Sequence, residues 1–279
     1  MRVGFVSLVG RPNVGKSTLL NALIGKKVSI VSDKPQTTRT RVRGIVTTSD
    51  TQLVFVDTPG LHKASTALGK RVNATALESM RDVDTVCLVL DATQTVGSGD
   101  RWVSQQLDIG KAIIVLNKID AVSPAKVMAQ LSAASDFGAA EYFPISAKTG
   151  EGVAEFLEAL ARRAIEGDAM YPPEMVSETP QAQWVAELVR EQLLAVTRDE
   201  LPYSIATRVT EWEWPRVRCE IVVERESQKG MVIGKSGHLL KSVGIEVRKQ
   251  LPQGAFLELF VVVDKDWQHR ADRVIRLGY

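Results

Sequence analysis

A glycine-rich loop near the start of the chain constrains its fold more than any other feature. Residues 10–17 read Gly-Arg-Pro-Asn-Val-Gly-Lys-Ser and match the phosphate-binding pattern G-x-x-x-x-G-K-[ST] at every fixed position. The apolar run Val3–Val9 predicts a buried strand before the loop, and the apolar spacing after Thr18 predicts a helix behind it. Backbone N–H groups and the positive helix end would then converge on an anion, with Lys16 beside it. The alternative is a turn that only connects strand to helix.

Composition places the chain among ordinary globular proteins. It has 279 residues, of which 44% are hydrophobic and 24% are charged. A chain of this length can form two hydrophobic cores. No apolar run reaches membrane-spanning length and the N-terminus enters a strand directly, so we expect a cytoplasmic protein. The distant cysteines Cys87 and Cys219 are expected to be small core residues. The net charge of +2 is too small to indicate a nucleic-acid partner by itself.

Apolar runs and helical segments alternate over the first part of the chain, which predicts an α/β, doubly wound, mostly parallel sheet. Strands are predicted at Val3–Val9, Val42–Thr48, Gln52–Asp57, Thr85–Asp91, Ala112–Asn117 and Tyr142–Ile145, with helices beginning near Lys16, Ala67, Asp100, Pro124 and Val153. Only the strands joined by the tight turn at residues 49–50 must run antiparallel. Residues 167–180, rich in turn residues, are the predicted linker between a domain of residues 1–166 and one of residues 181–279.

A second motif follows the strand that ends at Asp57. Residues 57–60 read Asp-Thr-Pro-Gly, which puts a carboxylate at the carboxyl edge of the sheet, where such folds bind ligands. Asp57 could hold Mg²⁺ through water opposite the Ser17 hydroxyl, and Gly60 leaves its backbone N–H free to approach a terminal phosphate. The alternative for this motif is an ordinary turn.

A third motif, Asn117-Lys118-Ile119-Asp120, also follows a buried strand. Guanine presents N1–H and an exocyclic amine side by side, and the single carboxylate of Asp120 can accept both, whereas adenine has no such pair of donors. By itself, a motif of this kind is as compatible with a polar helix cap as with a guanine site. After a phosphate loop and an Asp-x-x-Gly it indicates a guanine nucleotide, and Ser146-Ala147-Lys148 after the next strand completes the set.

In this order the motifs resemble those of translation-factor-class GTPases over residues 1 to about 165. The resemblance implies that Lys118 stacks along the base, that Asn117 braces the phosphate loop and that the Ala147 backbone meets the guanine oxygen. The nucleotide contacts predicted for this site are Gly10, Arg11, Pro12, Asn13, Val14, Gly15, Lys16, Ser17, Thr18, Asp57, Thr58, Pro59, Gly60, Asn117, Lys118, Asp120, Ser146, Ala147 and Lys148.

The segment Gln36-Thr37-Thr38-Arg39 resembles the first switch segment of these GTPases, whose threonine closes on Mg²⁺ and the γ-phosphate. Similarity to other Thr-Thr-Arg switches favours Thr38, although the Thr37 hydroxyl is chemically as able. The predicted Mg²⁺ ligands are therefore Ser17, Thr38 and Asp57. The residues predicted to serve catalysis are Lys16, Thr38, Gly60 and Asn13.

One departure from the family pattern concerns hydrolysis. In Ras-like GTPases the residue after Asp-x-x-Gly is a glutamine that orients the attacking water, and here it is Leu61, which cannot form hydrogen bonds through its side chain. Asn13 resembles the asparagine of bacterial GTPases that recruit K⁺ to the β- and γ-phosphates. This implies slow intrinsic hydrolysis that is faster in K⁺ than in Na⁺. The alternative for Asn13 is a side chain that stabilises a turn.

Residues 181–279 predict a smaller α+β domain. A helix around 185–196, strands Ile205–Glu211 and Arg216–Glu224, helices near Gln228–Ile233 and from His238 to about Gln250, and a strand Phe256–Val263 follow one another. Between the last two helices lies Gly234-Lys235-Ser236-Gly237. Its glycines would let the backbone approach a phosphate–sugar chain, as in the KH clamp on about four nucleotides. A plain helix–helix turn is the alternative.

Basic charge is concentrated around this glycine loop. Residues 225–249 hold six basic and two acidic residues, whereas residues 171–279 hold 15 Lys and Arg against 16 Asp and Glu. This favours a surface that follows phosphates over a solvated helix face. The predicted RNA contacts are Arg225, Lys229, Val232, Ile233, Gly234, Lys235, Ser236, Gly237, His238 and Lys241. For the apolar residues Val232, Ile233 and Leu240 the alternative is that they fill the core of the domain. The tail of residues 264–279 is expected to pack on its own domain, with base stacking by Trp267 as the alternative.

Together the two halves resemble the Era family of bacterial ribosome-assembly GTPases, in which a GTPase domain precedes a type II KH domain. The resemblance rests on the motifs above and on Glu200-Leu-Pro-Tyr-Ser204 and Val232-Ile-Gly-Lys-Ser-Gly237, and it covers essentially the whole chain. It implies a switch that binds and hydrolyses GTP with Mg²⁺. It also implies binding of single-stranded RNA at the 3′ end of 16S rRNA through the KH groove, coupled to the nucleotide state, and assistance to assembly and maturation of the pre-30S subunit. It also implies a weak association with the inner face of the cell membrane and no obligate oligomer.

Two other classes of function fit the same motifs. One is an RNA-binding protein that uses GTP only structurally, with Leu61 marking lost hydrolysis. The other is a GTPase of tRNA modification or membrane signalling, in which the KH-like fold contacts protein.

Overall fold

The computed structural model describes residues 1–279 and divides into two compact units. Residues 1–31, 35–64 and 71–178 form the first unit, and residues 32–34, 65–70 and 179–279 form the second. Cys87 and Cys219 are buried free thiols, which confirms their expected role in the cores. No helix combines the length and the apolar character needed to cross a membrane.

The first unit is built on a seven-stranded sheet. Six strands follow the order β2-β3-β1-β4-β5-β6, and the seventh, β7, pairs with β1 outside this order. Its strands are β1 Arg2–Val9, β2 Val42–Thr47, β3 Thr51–Asp57, β4 Thr85–Asp91, β5 Ile113–Asn117, β6 Glu141–Pro144 and β7 Ile165–Glu166. The helices in this part of the chain are α1 Lys16–Ile24, α2 Ala67–Glu78, α3 Ser98–Ser104, α4 Pro124–Ser135 and α5 Val153–Arg163. The α/β class is therefore confirmed.

Pairing in this sheet is parallel except at two places. Strand β2 pairs antiparallel with β3, which confirms the prediction from the tight turn between them. The two-residue strand β7 pairs antiparallel with the start of β1 and was not predicted, because two residues carry no periodicity.

The central strands are buried on both faces. Leu8 belongs to one apolar cluster with Leu19 of α1 and Phe156 of α5, whereas the next residue, Val9, belongs to a second cluster with Val103 of α3 and Ala134 of α4. Successive side chains of a strand point to opposite faces, so a strand covered on both sides reads as a continuous apolar run. Polar residues appear where these runs stop, at the carboxyl ends of the strands.

The segment predicted as a linker lies, as far as residue 178, against β2 and β3. The Gln52 side chain donates to the Tyr171 carbonyl at 2.9 Å and accepts from the Tyr171 N–H at 3.0 Å. The Ile45 N–H donates to the Val176 carbonyl at 2.9 Å. These residues are thus part of the first unit rather than a free tether. The domain limits at 166 and 181 stay predictions.

The second unit has a three-stranded sheet of order β10-β9-β8. Its elements are α6 Gln181–Val196, α7 Leu201–Ser204, β8 Ala206–Glu213, β9 Arg216–Val223, α8 Glu226–Ile233, α9 His238–Arg248, β10 Phe256–Val263 and α10 Ala271–Arg276. Strands β8 and β9 are antiparallel with an irregularity between Val209 and Glu211, and β9 and β10 are parallel. This arrangement confirms the predicted α+β KH class.

The tail after β10 packs on the second unit. Trp267 is fully buried, and its indole N–H donates to the Ser204 carbonyl at 3.0 Å. Its ring stacks on Tyr279 with 5.9 Å between centroids. The packed tail confirms the expectation from sequence, and a fully buried Trp267 leaves no ring face for a base.

Candidate nucleotide-binding site and nucleic-acid interface

The glycines of the phosphate loop are required by close packing. Gly15 caps α1 with a left-handed φ of 95°, and a Cβ there would lie 2.3 Å from Nδ2 of Asn117. A Cβ on Gly10 would lie 2.5 Å from the Val89 carbonyl oxygen. Any side chain at either position would push the loop away from the sheet edge.

The remaining loop residues surround this turn. Val14 is buried in the core beside α1, and Arg11, Pro12, Asn13 and Thr18 are half-buried. The Arg11 guanidinium lies 3.3 Å from the carboxylate of Asp100 in α3. The loop is therefore held from several sides while part of it stays open to a ligand.

Lys16 lies inside the loop. Its ammonium group donates to the carbonyls of Gly10 at 3.1 Å and Arg11 at 2.9 Å, and the residue is 6% exposed. Burial lowers the pKa of Lys16 from 10.5 to about 8, although the charge of Asp57 opposes this. A buried cation without a full counter-charge favours an anionic ligand beside it.

Oxygen atoms of the predicted metal ligands converge next to Lys16. The Ser17 hydroxyl donates to Oδ2 of Asp57 at 2.7 Å and lies 2.8 Å from the Thr38 hydroxyl. The Thr38 hydroxyl lies 3.5 Å from the same carboxylate oxygen. Burial raises the pKa of Asp57, against the charge of Lys16 and the hydroxyl hydrogen bonds.

This donor set fits Mg²⁺. Hydroxyl and carboxylate oxygens are the ligands that Mg²⁺ prefers, and it commonly takes few protein ligands together with waters and phosphate oxygens. Oδ1 of Asp57 is buried without a hydrogen-bond partner, as expected of an oxygen that completes its bonding with a cation or its waters. The position of Thr38 also supports its choice over Thr37.

Asn117 joins the phosphate loop to the loop after β6. Its amide donates to the Val14 carbonyl at 3.0 Å, and its Oδ1 accepts from the Ala147 N–H at 2.9 Å. Lys118 donates to the Asn13 carbonyl at 2.7 Å and to the Asp91 carboxylate at 2.6 Å. The contacts of Asn117 are those expected of a side chain that braces the phosphate loop.

Asp120 is the exposed carboxylate of this part of the site. Its Oδ1 accepts from the Ser146 hydroxyl at 2.6 Å, and Ser146 in turn accepts from the Thr149 N–H at 3.1 Å. Ser146 thus orients the carboxylate proposed to read the base. Lys148 is exposed on the same loop.

Some residues of the Asp-x-x-Gly segment, residues 57–60, pack into the core, and others face the candidate nucleotide site. The Thr58 hydroxyl donates to the Leu8 carbonyl at 2.8 Å, so this side chain supports the sheet and only its backbone remains for a nucleotide. Pro59 is buried, and a Cβ on Gly60 would lie 2.6 Å from the Pro12 nitrogen, which only glycine avoids. The Leu61 N–H donates to the Gly10 carbonyl at 3.2 Å, and the Leu61 side chain packs into the core.

Two polar residues of the site were missed from sequence. Ser29 donates to Oδ2 of Asp57 at 3.1 Å and is held by Asn21, whose Oδ1 accepts from the Ser29 N–H at 2.9 Å. Asp91 fixes the ammonium group of Lys118. Asp91 could have been predicted from the sequence. It is the last residue of β4, as Asp57 is of β3, and both strands end at the same edge of the sheet. Ser29 lies in a loop whose sequence carries no such signal.

The glycine loop of the second unit has positive φ at three of its four residues. Gly234 and Gly237 both have φ of 74°, and Ser236 between them has φ of 52°. A Cβ on Gly234 would lie 2.7 Å from that of Leu239, whereas Gly237 faces open space. The predicted contacts Arg225, Lys235, Ser236, His238 and Lys241 are exposed, and Lys229 and Ile233 are half-buried.

Val232 corrects one predicted RNA contact. Its side chain is fully buried among Ile221, Val243 and other apolar residues of the second core. The prediction that Val232 lines the RNA surface is wrong, because a side chain with no exposed area cannot contact a base. Helix periodicity could not distinguish this position from the half-buried Ile233.

Comparisons with known proteins match both parts of the chain. Residues 5–118 match the family described as 50S ribosome-binding GTPase, and residues 200–268 match the KH domain family. GTPase Era of Mycobacterium bovis (strain BCG / Pasteur 1173P2) is 44% identical over 99% of this chain and 98% of its own length. GTPase Era of Geobacter metallireducens is 40% identical over 100% of this chain and 98% of its own length.

A solved structure of Era in complex with MgGDPNP and nucleotides 1506–1542 of 16S ribosomal RNA is also similar. It is 36% identical, superposes with a TM-score of 0.95, and the match covers 100% of this chain and 99% of that chain. Since these two full-length relatives are 44% and 40% identical to it, the chain belongs to the Era family of GTPases.

Proposed function

We propose that residues 1–166 bind and hydrolyse GTP, and that the KH domain of residues 181–279 binds the 3′ end of 16S rRNA during assembly of the 30S subunit. The bound nucleotide sets the affinity for this RNA, so that the chain acts as a GTP-dependent switch. The observation that carries the proposal is the convergence of three kinds of groups at one sheet edge. Lys16 and the loop N–H groups suit phosphates, Ser17 and Asp57 suit Mg²⁺, and Asp120 suits guanine. Asn117 ties these parts together through the Val14 and Ala147 backbones.

The residues divide the work of phosphate transfer. The loop N–H groups and Lys16 would hold the β- and γ-phosphates, and the free N–H of Gly60 would approach the γ-phosphate. Ser17, Thr38 and Asp57 would hold Mg²⁺, which when bound neutralises charge that develops on the phosphates. Positioning and electrostatics of this kind supply most of the catalysis in phosphoryl transfer.

Leu61 leaves the attacking water without the usual glutamine. Its side chain lies in the core, so it does not block the site, but it offers no hydrogen bond. The same observation supports the second candidate, a protein that holds GTP structurally without turnover. Release of more phosphate than the amount of protein present distinguishes the two.

Asn13 is our proposed source of a K⁺ effect. It lies on the phosphate loop with a left-handed φ of 64°, a conformation that asparagine tolerates better than most residues. Its carbonyl is bound by Lys118. The side-chain oxygen would help to hold K⁺ beside the β- and γ-phosphates.

Phosphate release with excess GTP tests these proposals. We expect turnover beyond one phosphate per protein, and a rate about tenfold higher in KCl than in NaCl, a difference of about 1.4 kcal/mol in the barrier. Asn13→Gly keeps the left-handed backbone but removes the side-chain oxygen, and it should bring the rate in KCl down to that in NaCl. Release that stops at one phosphate per protein supports the structural role of GTP. Equal wild-type rates in the two salts contradict the K⁺ proposal, and a K⁺ effect that survives in Asn13→Gly excludes Asn13 as its source.

The RNA part of the proposal is supported by the exposed basic residues around Gly234–Gly237 and by the RNA-bound Era relative. The implied partner is the pre-30S particle in the cytoplasm. A weak association with the inner face of the membrane stays a prediction of the family resemblance alone.

A further inference from the structure

His62 lies next to Leu61 and contacts two segments that the nucleotide site needs. Its Nδ1 is 3.0 Å from the Gly60 carbonyl oxygen, and its Nε2 is 3.1 Å from Nε2 of Gln36. Gln36 opens the first switch segment, residues 36–39. Gly60 belongs to residues 57–62, which we call the second switch segment.

The backbone of His62 is fixed from α2. Its N–H donates to Oδ1 of Asn73 at 3.3 Å, and its carbonyl accepts from Nδ2 of Asn73 at 2.6 Å. The residue is half-buried, so the ring has limited freedom. An imidazole anchored in this way can hold its two partners in a defined arrangement.

Hydrogen-bond chemistry determines which ring nitrogen carries the proton. The Gly60 carbonyl can only accept, so Nδ1 of His62 must donate to it. In the neutral ring Nε2 is then an acceptor, which suits the N–H₂ group of Gln36 on its other side. A single imidazole therefore links the two switch segments through one donated and one accepted hydrogen bond.

The peptide between Gly60 and Leu61 is held at both ends by this arrangement. Its carbonyl accepts from His62, and its N–H donates to the Gly10 carbonyl at 3.2 Å. On the other side of the ring, Gln36 lies two residues before Thr38, whose hydroxyl meets Ser17. The link thus joins Gly60, which would approach the γ-phosphate, to the segment that carries Thr38, which would close on Mg²⁺.

We infer that His62 is a positioning residue for GTP hydrolysis, which fastens Gln36 to Gly60 so that Thr38 and Gly60 close on the nucleotide together. The inference rests on the proposed function. Leu61 cannot position the attacking water, and the arrangement of the two switch segments would supply part of that positioning. His62 acts through Gly60 and Gln36 and not by contact with the reacting atoms.

Removal of either side of the link tests the inference in the full chain. His62→Phe keeps the ring volume without its hydrogen bonds, and Gln36→Leu removes the other partner. Each change should lower kcat about tenfold, and the double variant should lose little more than either alone, because both break one link. Affinity for GDP should stay within about twofold of wild type, because GDP lacks the γ-phosphate. His62→Asn, which keeps a donor near the position of Nδ1, should fall between wild type and His62→Phe.

Several outcomes separate failure of the inference from failure of the proposed function. A wild-type protein without multiple turnover contradicts the proposed function itself. Wild-type turnover together with unchanged kcat in Gln36→Leu overturns only the inference, even where His62→Phe does not fold. Multiplicative losses in the double variant, or equal weakening of GDP and GTP binding, indicate independent structural roles and also overturn it.

Discussion

Asp120→Asn should change the base preference of the nucleotide site from guanine to xanthine. The carboxylate of Asp120 would accept from both N1–H and the exocyclic amine of guanine. An asparagine side chain offers one acceptor and one donor, and its N–H₂ group would face the guanine amine. Xanthine has an oxygen in place of that amine, so it accepts where asparagine donates. We expect GTP to lose about 4 kcal/mol, roughly a thousandfold in affinity, while XTP gains.

Ser146→Ala is the matched control for this change. Ser146 orients Asp120 by its hydrogen bond of 2.6 Å, but it leaves the acceptor character of the carboxylate unchanged. Its loss should weaken GTP binding by about 1 kcal/mol without gain for XTP. Competition between GTP and XTP for a fluorescent nucleotide measures both variants. An Asp120→Asn variant that still prefers GTP would contradict the assignment of Asp120.

Lys16→Met should abolish useful nucleotide binding and at the same time stabilise the nucleotide-free protein. The loss of a buried charge that would meet the phosphates should cost about 2–5 kcal/mol of binding free energy, a factor of roughly 30 to 5000 in affinity. The gain in stability follows from burial, which lowers the pKa of Lys16 from 10.5 to about 8. At about 1.4 kcal/mol per pH unit, burying the protonated ammonium costs the folded state about 3 kcal/mol.

The sign of the pH dependence identifies this cost. Between pH 8 and 10.5 the unfolded chain binds more protons at Lys16 than the folded one, so wild-type stability should rise with pH across that range. Lys16→Met lacks this rise, and its advantage over wild type should shrink from pH 7 to 10.5. Denaturant unfolding of both proteins at several pH values measures the difference between their free energies of unfolding. Groups that titrate alike in the two proteins cancel in this difference. A constant difference, or one that grows with pH, contradicts the buried cation.

Most residues of the nucleotide site could be predicted because local rules place them. Asp57 and Asn117 each end an apolar run, and the carboxyl ends of parallel strands must meet at one edge. Gly15 and Gly60 stand where only glycine fits, so a pattern of fixed glycines carries geometric information.

The residues that escaped prediction depend on contacts between distant segments. Ser29 reaches Asp57, and His62 reaches Gln36, from loops without periodicity. Val232 shares a helix with the half-buried Ile233, and only the packing of α8 on the sheet decides that Val232 belongs to the core. Strand β7 is too short to have a pattern. Tertiary packing, rather than propensity, determined each of these.

RNA affinity in two nucleotide states tests the central claim, a GTP-dependent switch with RNA as its output, most directly. The probe is RNA of nucleotides 1506–1542 of 16S rRNA, the segment bound by the Era relative. Gly234→Asp is the control for the site, because its side chain would meet Leu239 and add a negative charge beside the backbone of the RNA. The matched variant Gly234→Ala separates strain from charge.

We expect wild type to bind this RNA with affinities that differ at least about fivefold between GDP and a non-hydrolysable GTP analogue, which corresponds to a coupling of about 1 kcal/mol or more. Gly234→Asp should bind weakly in both states, and Gly234→Ala should lose less affinity. Wild-type RNA affinity that is the same with the two nucleotides would contradict the switch.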